Sequence, residues 1–273
     1  MLSQLRHIQS VFAQDVLLYQ MGKVGSNSLS YSIEQLGLST GHKHYFGGDL
    51  DHFYQNRKPH WTIGWQKKCI RYWWQWQNRE FKVLTLVRDP MARNLSLAFH
   101  GLEYLLYHTL HGNPNNIKGQ FLSFEQVVQK AFDRLIRHEA PVLYFEEEFE
   151  PVLGIDVYQY PFDRERGIGW IRKGKLQILI LQLEQLAKNE TQIAQFIGKS
   201  DFRLLRANTA KKSWYAEWYR PFIDQFRAEN AQLRALYDSK FMQHFYTPAA
   251  IQAFEEHWRN PPTVSSQTSF LEQ

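Results

Sequence analysis

The chain has 273 residues, of which 44% are hydrophobic and 15% aromatic, so it can bury a large core, and one domain is the simplest division. Its formal net charge of +5 suits anionic cofactors or anionic glycans, although a basic surface with weak attraction to nucleic acid or membrane would show the same value. Cys69 is the only cysteine, which excludes an intrachain disulfide and favours a reducing compartment.

No stretch of the sequence reads as a membrane anchor. The segment before Asp15 is polar, and no later run of about 18 apolar residues follows. We therefore expect no signal peptide, no transmembrane segment and a cytoplasmic location, with peripheral membrane contact left open. Residues 1–260 are expected to form the domain, and residues 261–273 a polar C-terminal tail.

Apolar strands alternate with amphipathic helices along the chain. This order predicts an α/β fold, with a parallel sheet that carries helices on both faces. The predicted strands are Asp15–Tyr19, Gly41–Phe46, Phe81–Val87, Asp156–Tyr160, Gly169–Arg172 and Leu176–Leu183. The predicted helices are Leu29–Leu38, Trp65–Arg79, Met91–Tyr107, Phe124–His138, Glu190–Ile197, Trp214–Leu236 and Ala249–Trp258.

The first strand leads into a loop suited to binding a phosphate. Gly22 and Gly25 permit backbone conformations that other residues resist, so the amides of residues 24–28 can point inward at the start of a helix, where an anion is favoured. Lys23 adds a positive charge. It precedes Gly25 and no Ser or Thr follows it directly, which distinguishes this loop from a Walker A loop that holds magnesium.

The strand Phe81–Val87 leads into a second candidate phosphate loop. Asp89 is a good N-cap and Pro90 suits the first helical position. Arg88 stands at the strand end, while Arg93 and Ser96 are three residues apart and share a face of the following helix. Because ligands bind at the carboxyl ends of strands in open α/β sheets, the two loops together predict a ligand with two separated phosphates.

These two motifs resemble those of carbohydrate sulfotransferases. The segment Lys23-Val-Gly-Ser-Asn-Ser28 is similar to their 5′-phosphosulfate loop, and Leu86-Val-Arg-Asp-Pro-Met-Ala-Arg-Asn-Leu-Ser96 to their 3′-phosphate motif. A closer resemblance is to bacterial capsular-polysaccharide synthesis proteins named for an Asn-Lys-Trp-Tyr-Ser signature. That signature is interrupted in Asn208-Thr-Ala-Lys-Lys-Ser-Trp-Tyr-Ala216, and Tyr237–Tyr246 resembles the end of this family. The resemblance spans nearly the whole chain.

The resemblance implies an architecture like that of P-loop nucleotide-binding proteins and a sulfotransferase that uses 3′-phosphoadenosine 5′-phosphosulfate (PAPS). It implies release of 3′-phosphoadenosine 5′-phosphate (PAP), no metal, and a hydroxyl of a carbohydrate-like acceptor as the substrate. Lys23 would stabilise the leaving phosphate. The residues expected to bind the cofactor are Lys23, Val24, Gly25, Ser26, Asn27, Ser28, Arg88 and Ser96. Lys212 could close over the cofactor from a loop, or serve as a helix cap or surface charge.

His42 and His44 are the candidate catalytic bases. Alternate residues of an extended segment point the same way, so both can face the cleft, and histidine titrates close to neutral pH. The pair follows the second strand, as in some uronyl sulfotransferases, and His44 is the first choice. A structural or solvated histidine remains an alternative, and so does a zinc site completed by Asp49.

Two further clusters have simpler interpretations. The tryptophans between Trp61 and Trp76 lie near Lys67, Lys68 and Arg71, and could stack on sugars, touch a membrane or pack the helix onto the sheet, which is the preferred interpretation. The acidic run Glu146–Glu150 is expected to form a solvated helix face. Two alternative functions stay open: a nucleotide-dependent kinase, which magnesium dependence would favour, and a non-catalytic nucleotide- or glycan-binding protein.

Overall fold

A five-stranded sheet forms the centre of the molecule in the computed structural model, which describes residues 9–46, 61–102, 124–205 and 215–259. The strand order is β2-β1-β3-β5-β4. Neighbouring strands are parallel except for β4, which pairs antiparallel with β5 at one edge. The strands are β1 (Val16–Tyr19), β2 (Thr40–Lys43), β3 (Phe81–Val87), β4 (Ile168–Lys173) and β5 (Leu176–Gln182).

Helices flank this sheet and account for most of the remaining described chain. Short 3₁₀ turns follow residue 156 and β5, at Val157–Gln159 and Leu183–Asn189, and a π-helical turn covers Phe145–Phe149. The α-helices are α1 (Ser26–Glu34), α2 (Trp61–Trp76), α3 (Pro90–His100), α4 (Phe124–Leu135), α5 (Ala140–Tyr144), α6 (Glu150–Leu153), α7 (Glu190–Ile197), α8 (Ala216–Gln225), α9 (Asn230–Tyr237), α10 (Lys240–Phe245) and α11 (Pro248–Arg259).

The apolar composition of the three central strands explains their position. Every residue of β1 is buried, and β3 and β5 bury all but their second residue, which is the pattern of strands covered on both faces. The full register runs from Phe81 opposite Leu176 to Val87 opposite Gln182. These strands are therefore the core on which the loops at their carboxyl ends are built.

The α/β fold is confirmed, but the expectation of an all-parallel sheet is wrong at one edge. β4 and β5 are separated only by Gly174 and Lys175, and so short a connection can join only antiparallel neighbours. The predicted strand Asp156–Tyr160 is also wrong. Asp156 caps a 3₁₀ turn there, by accepting a hydrogen bond from the backbone N–H of Tyr158 at 3.0 Å.

The predicted helix Trp214–Leu236 is two helices, α8 and α9, separated by residues 226–229. The helix predicted from Met91 ends earlier than expected, since α3 stops at His100 and Gly101 caps it. The prediction's final residues, 103–107, lie outside the described residues, as does the predicted tail.

The acidic run is not a uniformly solvated helix face. Glu146, Glu147 and Glu150 are exposed, but Glu148 is fully buried in the π-helical turn. Its carboxylate accepts hydrogen bonds from the Tyr19 hydroxyl at 2.5 Å and from the backbone N–H of Phe46 at 2.6 Å. Lys67 of α2 forms an ion pair with it at 2.5 Å, and this pair joins α2, β1 and the end of β2.

The strand order creates a crevice between β1 and β3. After β1 the chain continues to β2, on one side of the sheet. After β3 it continues to β4 and β5, on the other side. At such a switch point the two loops diverge, and ligands bind there in open α/β sheets. The two predicted phosphate loops, after Tyr19 and after Val87, border this crevice. Within the described residues, no helix is both long and apolar enough to cross a membrane.

Candidate functional site

The loop between β1 and α1 carries an unusual backbone conformation at Lys23. Lys23 has φ 70°, and among the described residues it is the one non-glycine residue with positive φ. Gly25, the N-cap of α1, has φ 84°. A side chain at Gly25 would meet Leu183 at 2.5 Å, so the loop packs closely on the turn after β5. Left-handed conformations of non-glycine residues are costly and cluster at functional sites, which directs attention to Lys23.

Two guanidinium groups from the second loop hold the backbone of the first loop. Arg88 donates a hydrogen bond from Nη1 to the carbonyl oxygen of Lys23 at 2.9 Å. Arg93 is fully buried and donates from Nε to the carbonyl oxygen of Gly22 at 3.1 Å. It positions the first loop and makes a second bond to Asn94 at 2.9 Å. The predicted contact of Arg93 with a second phosphate stays a prediction, since these bonds use its Nε and Nη1 atoms within the protein.

Lys23, Arg88 and Arg93 bring three cationic side chains together at this loop. Burial is the main cause that lowers the pKa of Lys23 to about 8, and the nearby Arg88 and Arg93 guanidinium groups contribute to the same shift. Lys23 as a whole residue is half-buried. The first N–H groups of α1 have no intrahelical acceptors and add positive potential at the same place. An anion bound here would relieve the repulsion among the three side chains.

The remaining residues of the predicted loop differ in exposure. Val24 is buried in the core and Ser26 is also buried, while Asn27 is exposed and Ser28 is half-buried. Val24 can therefore offer only its backbone to a ligand. The first turn of α1, Ser26 to Ser28, supplies the amides and hydroxyls that the sequence predicted at a helix start.

Asp89 has the predicted capping role and a second role that the sequence did not reveal. Its carboxylate accepts hydrogen bonds from the N–H groups of Met91 and Ala92 at the start of α3. It also accepts bonds from the Tyr237 hydroxyl at 2.5 Å and from Trp258 Nε1 at 2.7 Å. Burial raises the pKa of Asp89, and these hydrogen bonds oppose that shift. α9 and α11 are thereby tied to the loop that carries Arg88.

A second carboxylate, that of the half-buried Glu184, lies beside the first. Its Oε1 accepts a hydrogen bond from the backbone N–H of Asp89 at 2.8 Å, and its Oε2 accepts one from the Tyr246 hydroxyl at 3.2 Å. Burial raises the pKa of Glu184, while the hydrogen bond from the Asp89 N–H lowers it. Tyr237 and Tyr246 begin and end the segment that resembles the end of the capsular family. The Tyr237 hydroxyl binds Asp89 of the Arg88 loop directly, and the Tyr246 hydroxyl is linked to that loop through Glu184.

His42 and His44 lie together at the end of β2, with ring centroids 4.7 Å apart. Nδ1 of His44 is 2.9 Å from the carbonyl oxygen of Gln20. A carbonyl oxygen only accepts hydrogen bonds, so Nδ1 carries the proton, and Nε2 holds the lone pair of the neutral ring. Tyr144 also donates to the His44 carbonyl oxygen at 3.2 Å. His44 is thus half-buried and oriented beside the first loop, whereas His42 is exposed.

Gln20 borders the candidate site and was not predicted from the sequence. It follows β1 and is fully buried. Its N–H donates to the carbonyl oxygen of Lys43, and its side-chain oxygen accepts from the backbone N–H of Leu86 at 3.0 Å. It therefore bridges β2 and β3 at the crevice and also contacts His44. The signal in the sequence was a lone amide side chain directly after an apolar strand.

One predicted site position makes none of the contacts above, and two others are not described by the structure. Ser96 is half-buried on α3, one helical turn beyond Arg93 and on the same face. Lys212 and Asp49 lie outside the described residues. Within the described part of the chain, no group of three or more His, Cys, Asp or Glu side chains is placed to hold a metal ion.

One segment of this chain is similar to a known protein family. Residues 123–247, a little under half of the sequence, match the model of the NKWYS family, which is described as "Putative capsular polysaccharide synthesis protein". No curated protein and no solved structure matches the chain. The match begins after both predicted phosphate loops, so it does not bear on them or on PAPS. The similarity shown for this chain is thus to a family of polysaccharide biosynthesis, through the segment that holds Tyr144, Glu148, Glu184, Tyr237 and Tyr246.

Proposed function

We propose that this protein transfers a sulfuryl group from PAPS to a hydroxyl group of a carbohydrate acceptor. The observation that carries the proposal is the gathering of Lys23, Arg88 and Arg93 on a tight loop at the β1–β3 crevice. Such a cluster, at the start of a helix, suits a polyanionic ligand. The family match to polysaccharide synthesis supports a carbohydrate as the acceptor.

The residues present fit a nucleotide with two phosphate positions. The amides of residues 26–28 and the Lys23 ammonium would hold the 5′ group. Arg88, which already borders the Lys23 carbonyl, and Ser96 on the next helix would hold the 3′-phosphate. When bound, PAPS supplies the sulfuryl group and is released as PAP.

Lys23 and His44 have complementary chemical tasks in this proposal. Lys23, with its charge concentrated by burial, would stabilise the negative charge that grows on the leaving phosphate, an effect worth about 2.7–4 kcal/mol for one donor. His44 would accept the proton of the acceptor hydroxyl at Nε2, because Nδ1 is already held by Gln20. His42 lies against His44 and would orient it or the acceptor.

The architecture also bears on the kinase alternative. Asp89 stands where a magnesium-binding carboxylate could be expected, after a central strand. Its oxygens instead accept hydrogen bonds from Tyr237, Trp258 and the start of α3. This arrangement supports a capping and anchoring role for Asp89. Asp89 therefore gives no support to a kinase.

Ligand binding tests the proposal directly. Calorimetry should give a much lower Kd for PAP than for AMP, which lacks the 3′-phosphate, and Arg88→Ala should remove most of that difference. Lys188→Met, an exposed lysine on the turn after β5, is the control for general charge loss. A transfer assay with ³⁵S-labelled PAPS and polysaccharide acceptors then tests the reaction. Equal affinities for PAP and AMP would contradict the proposal, and tight ATP binding only with magnesium would favour a kinase.

A further inference from the structure

Helix α2 divides its aromatic residues between the core and the solvent. Trp74 is buried, and its Nε1 donates to the carbonyl oxygen of Val152 at 3.0 Å. In contrast, Trp65, Tyr72 and Trp76 are 69%, 63% and 86% exposed. Their spacing of seven and four residues places them in one stripe along the helix, roughly 16 Å long at 1.5 Å per residue. The expected packing of the aromatic face on the sheet accounts for only some of these tryptophans.

The stripe is positively charged as well as aromatic. Lys68 is exposed between Trp65 and Tyr72, at helical spacing from both. α2 carries Lys67, Lys68 and Arg71 but no acidic residue, and Lys67 is already paired with Glu148. The net surface charge that α2 offers to a partner is therefore positive.

A cleft of about 310 Å³ opens beside the last turn of α2, the helix that ends at Trp76 of the stripe. Gln75 of α2 borders it together with Lys173 and Lys175, which flank Gly174 in the turn from β4 to β5. The two lysine ammonium groups donate to the carbonyl oxygens of Gly154 at 3.3 Å and of Gln77 at 2.8 Å. These contacts hold the cations at the rim. The cleft lies at the amino ends of the parallel strands, at the opposite edge from Lys23.

The stripe connects these two edges of the sheet. α2 follows β2 and leads into β3, so Trp65 lies toward the carboxyl ends of the strands and Trp76 toward the amino ends. Near the Trp65 end, Lys67 pairs with Glu148, which in turn binds the backbone of Phe46, two residues after His44. A chain-like ligand lying along α2 would thus lead from the cleft toward the candidate site.

We infer that the α2 stripe and its cleft form a docking track for an extended polysaccharide that bears carboxylate groups. Sugar rings have apolar faces that pack on exposed aromatic rings, while Lys68 in the stripe and Lys173 and Lys175 at the cleft would pair with the carboxylates. A bilayer is a poorer occupant, because the exposed stripe between Gly64 and Trp76 contains no aliphatic side chain to enter the hydrocarbon region. This inference deepens the proposed function by naming the acceptor class, and it rests on that function.

Binding of carboxylated polymers to single-site variants tests the track. Affinity electrophoresis with polygalacturonate and with hyaluronan should show retardation of the wild-type chain, and dextran, which is neutral, should show much less. Trp76→Ala should raise the Kd by about tenfold, which corresponds to about 1.4 kcal/mol. Trp170→Ala is the matched control, since Trp170 is 42% exposed on β4 outside the stripe, and it should change nothing.

Four results of these binding experiments would overturn the inference. Absence of binding to both carboxylated polymers, or binding that Trp76→Ala and Tyr72→Ala leave unchanged, would exclude the track. Equal retention by polyphosphate would indicate charge attraction alone, and tight binding to phosphatidylglycerol vesicles that Trp76→Ala abolishes would indicate a membrane surface.

PAP binding is measured on the same variants and should remain at the wild-type level. A failed track with intact PAP binding therefore leaves the proposed function standing, whereas absent PAP binding contradicts that function separately.

Discussion

Lys23 occupies a position whose backbone conformation favours glycine. The left-handed conformation costs a non-glycine residue roughly 1–2 kcal/mol, and burial beside Arg88 and Arg93 adds an electrostatic cost. We predict that Lys23→Gly raises the free energy of unfolding of the ligand-free protein above that of Lys23→Ala by about 1 kcal/mol, the reverse of the usual order. Urea denaturation of the two variants measures this. If Lys23→Ala is the more stable variant, the conformation carries no strain.

The lowered pKa of Lys23 predicts a pH dependence of ligand binding. An anion prefers the protonated ammonium, and in the free protein that form is lost as the pH rises through about 8. The affinity for PAP should therefore fall as the pH rises through about 8, with proton uptake on binding at pH 9. Calorimetry in buffers of different ionisation enthalpy detects both effects. Lys23→Arg, which stays charged, should abolish the decline, and a decline that persists in it would assign the titration to another group.

His44 and His42 differ in what holds them, and this difference predicts different kinetic roles. Nδ1 of His44 is fixed by the Gln20 carbonyl oxygen, which leaves Nε2 basic, whereas His42 is exposed. His44→Ala should reduce sulfuryl transfer by roughly 10²–10⁴-fold with nearly unchanged PAP affinity, as expected for a general base. His42→Ala should have a milder effect. Transfer at the wild-type rate in His44→Ala would place the base elsewhere.

The buried pair of Lys67 and Glu148 joins three elements that carry the site. Their charged atoms are 2.5 Å apart, and the Glu148 carboxylate also binds Tyr19 of β1 and the backbone of Phe46. Removing one partner of a buried pair leaves an uncompensated charge, so Lys67→Met and Glu148→Met should each lower the free energy of unfolding by about 3–5 kcal/mol. The double variant should lose clearly less than the sum. Strictly additive losses in urea denaturation would show that the two side chains do not interact.

The elements that were predicted well are those whose pattern is local. β3 was predicted with its observed ends, and α7 as well, because each is a strongly patterned segment with clear flanking signals. β4 was found, but its direction was not, since direction depends on which strand it pairs with. The π-helical turn Phe145–Phe149 was missed because its geometry is stabilised by Glu148, whose partners lie about 80 to 130 residues away.

The candidate site shows the same division. Lys23 and Arg88 were predicted and lie together, since both follow directly from strand ends. Arg93 was assigned to the ligand because spacing places it on the right helix face, but spacing cannot show that its Nε meets the Gly22 carbonyl. The bonds of Tyr237 and Trp258 to Asp89 cross about 150 and 170 residues and have no local signal. Ser96 and Lys212 remain predictions.

The segment that matches the capsular family is not a self-sufficient part of the molecule. Residues 123–247 include β4 and β5, but β5 is completed by β3, and the segment's Tyr237 and Glu148 bind Asp89 and Tyr19 outside it. We predict that this segment expressed alone lacks cooperative urea unfolding by circular dichroism. Co-expression with residues 1–122 should restore it. Cooperative unfolding of the isolated segment would contradict the prediction.

The position of β3 between β1 and β5 has a consequence for synthesis of the chain. β5 ends at Gln182, about 95 residues after β3 ends at Val87. At roughly 5–20 residues per second, ribosomes leave the outer edge of β3 without its partner for about 5–20 s. An apolar strand with an open edge can pair with another chain during that interval. The yield of native protein in a cell should therefore depend on elongation speed and on chaperone supply, even for variants whose final stability is unchanged.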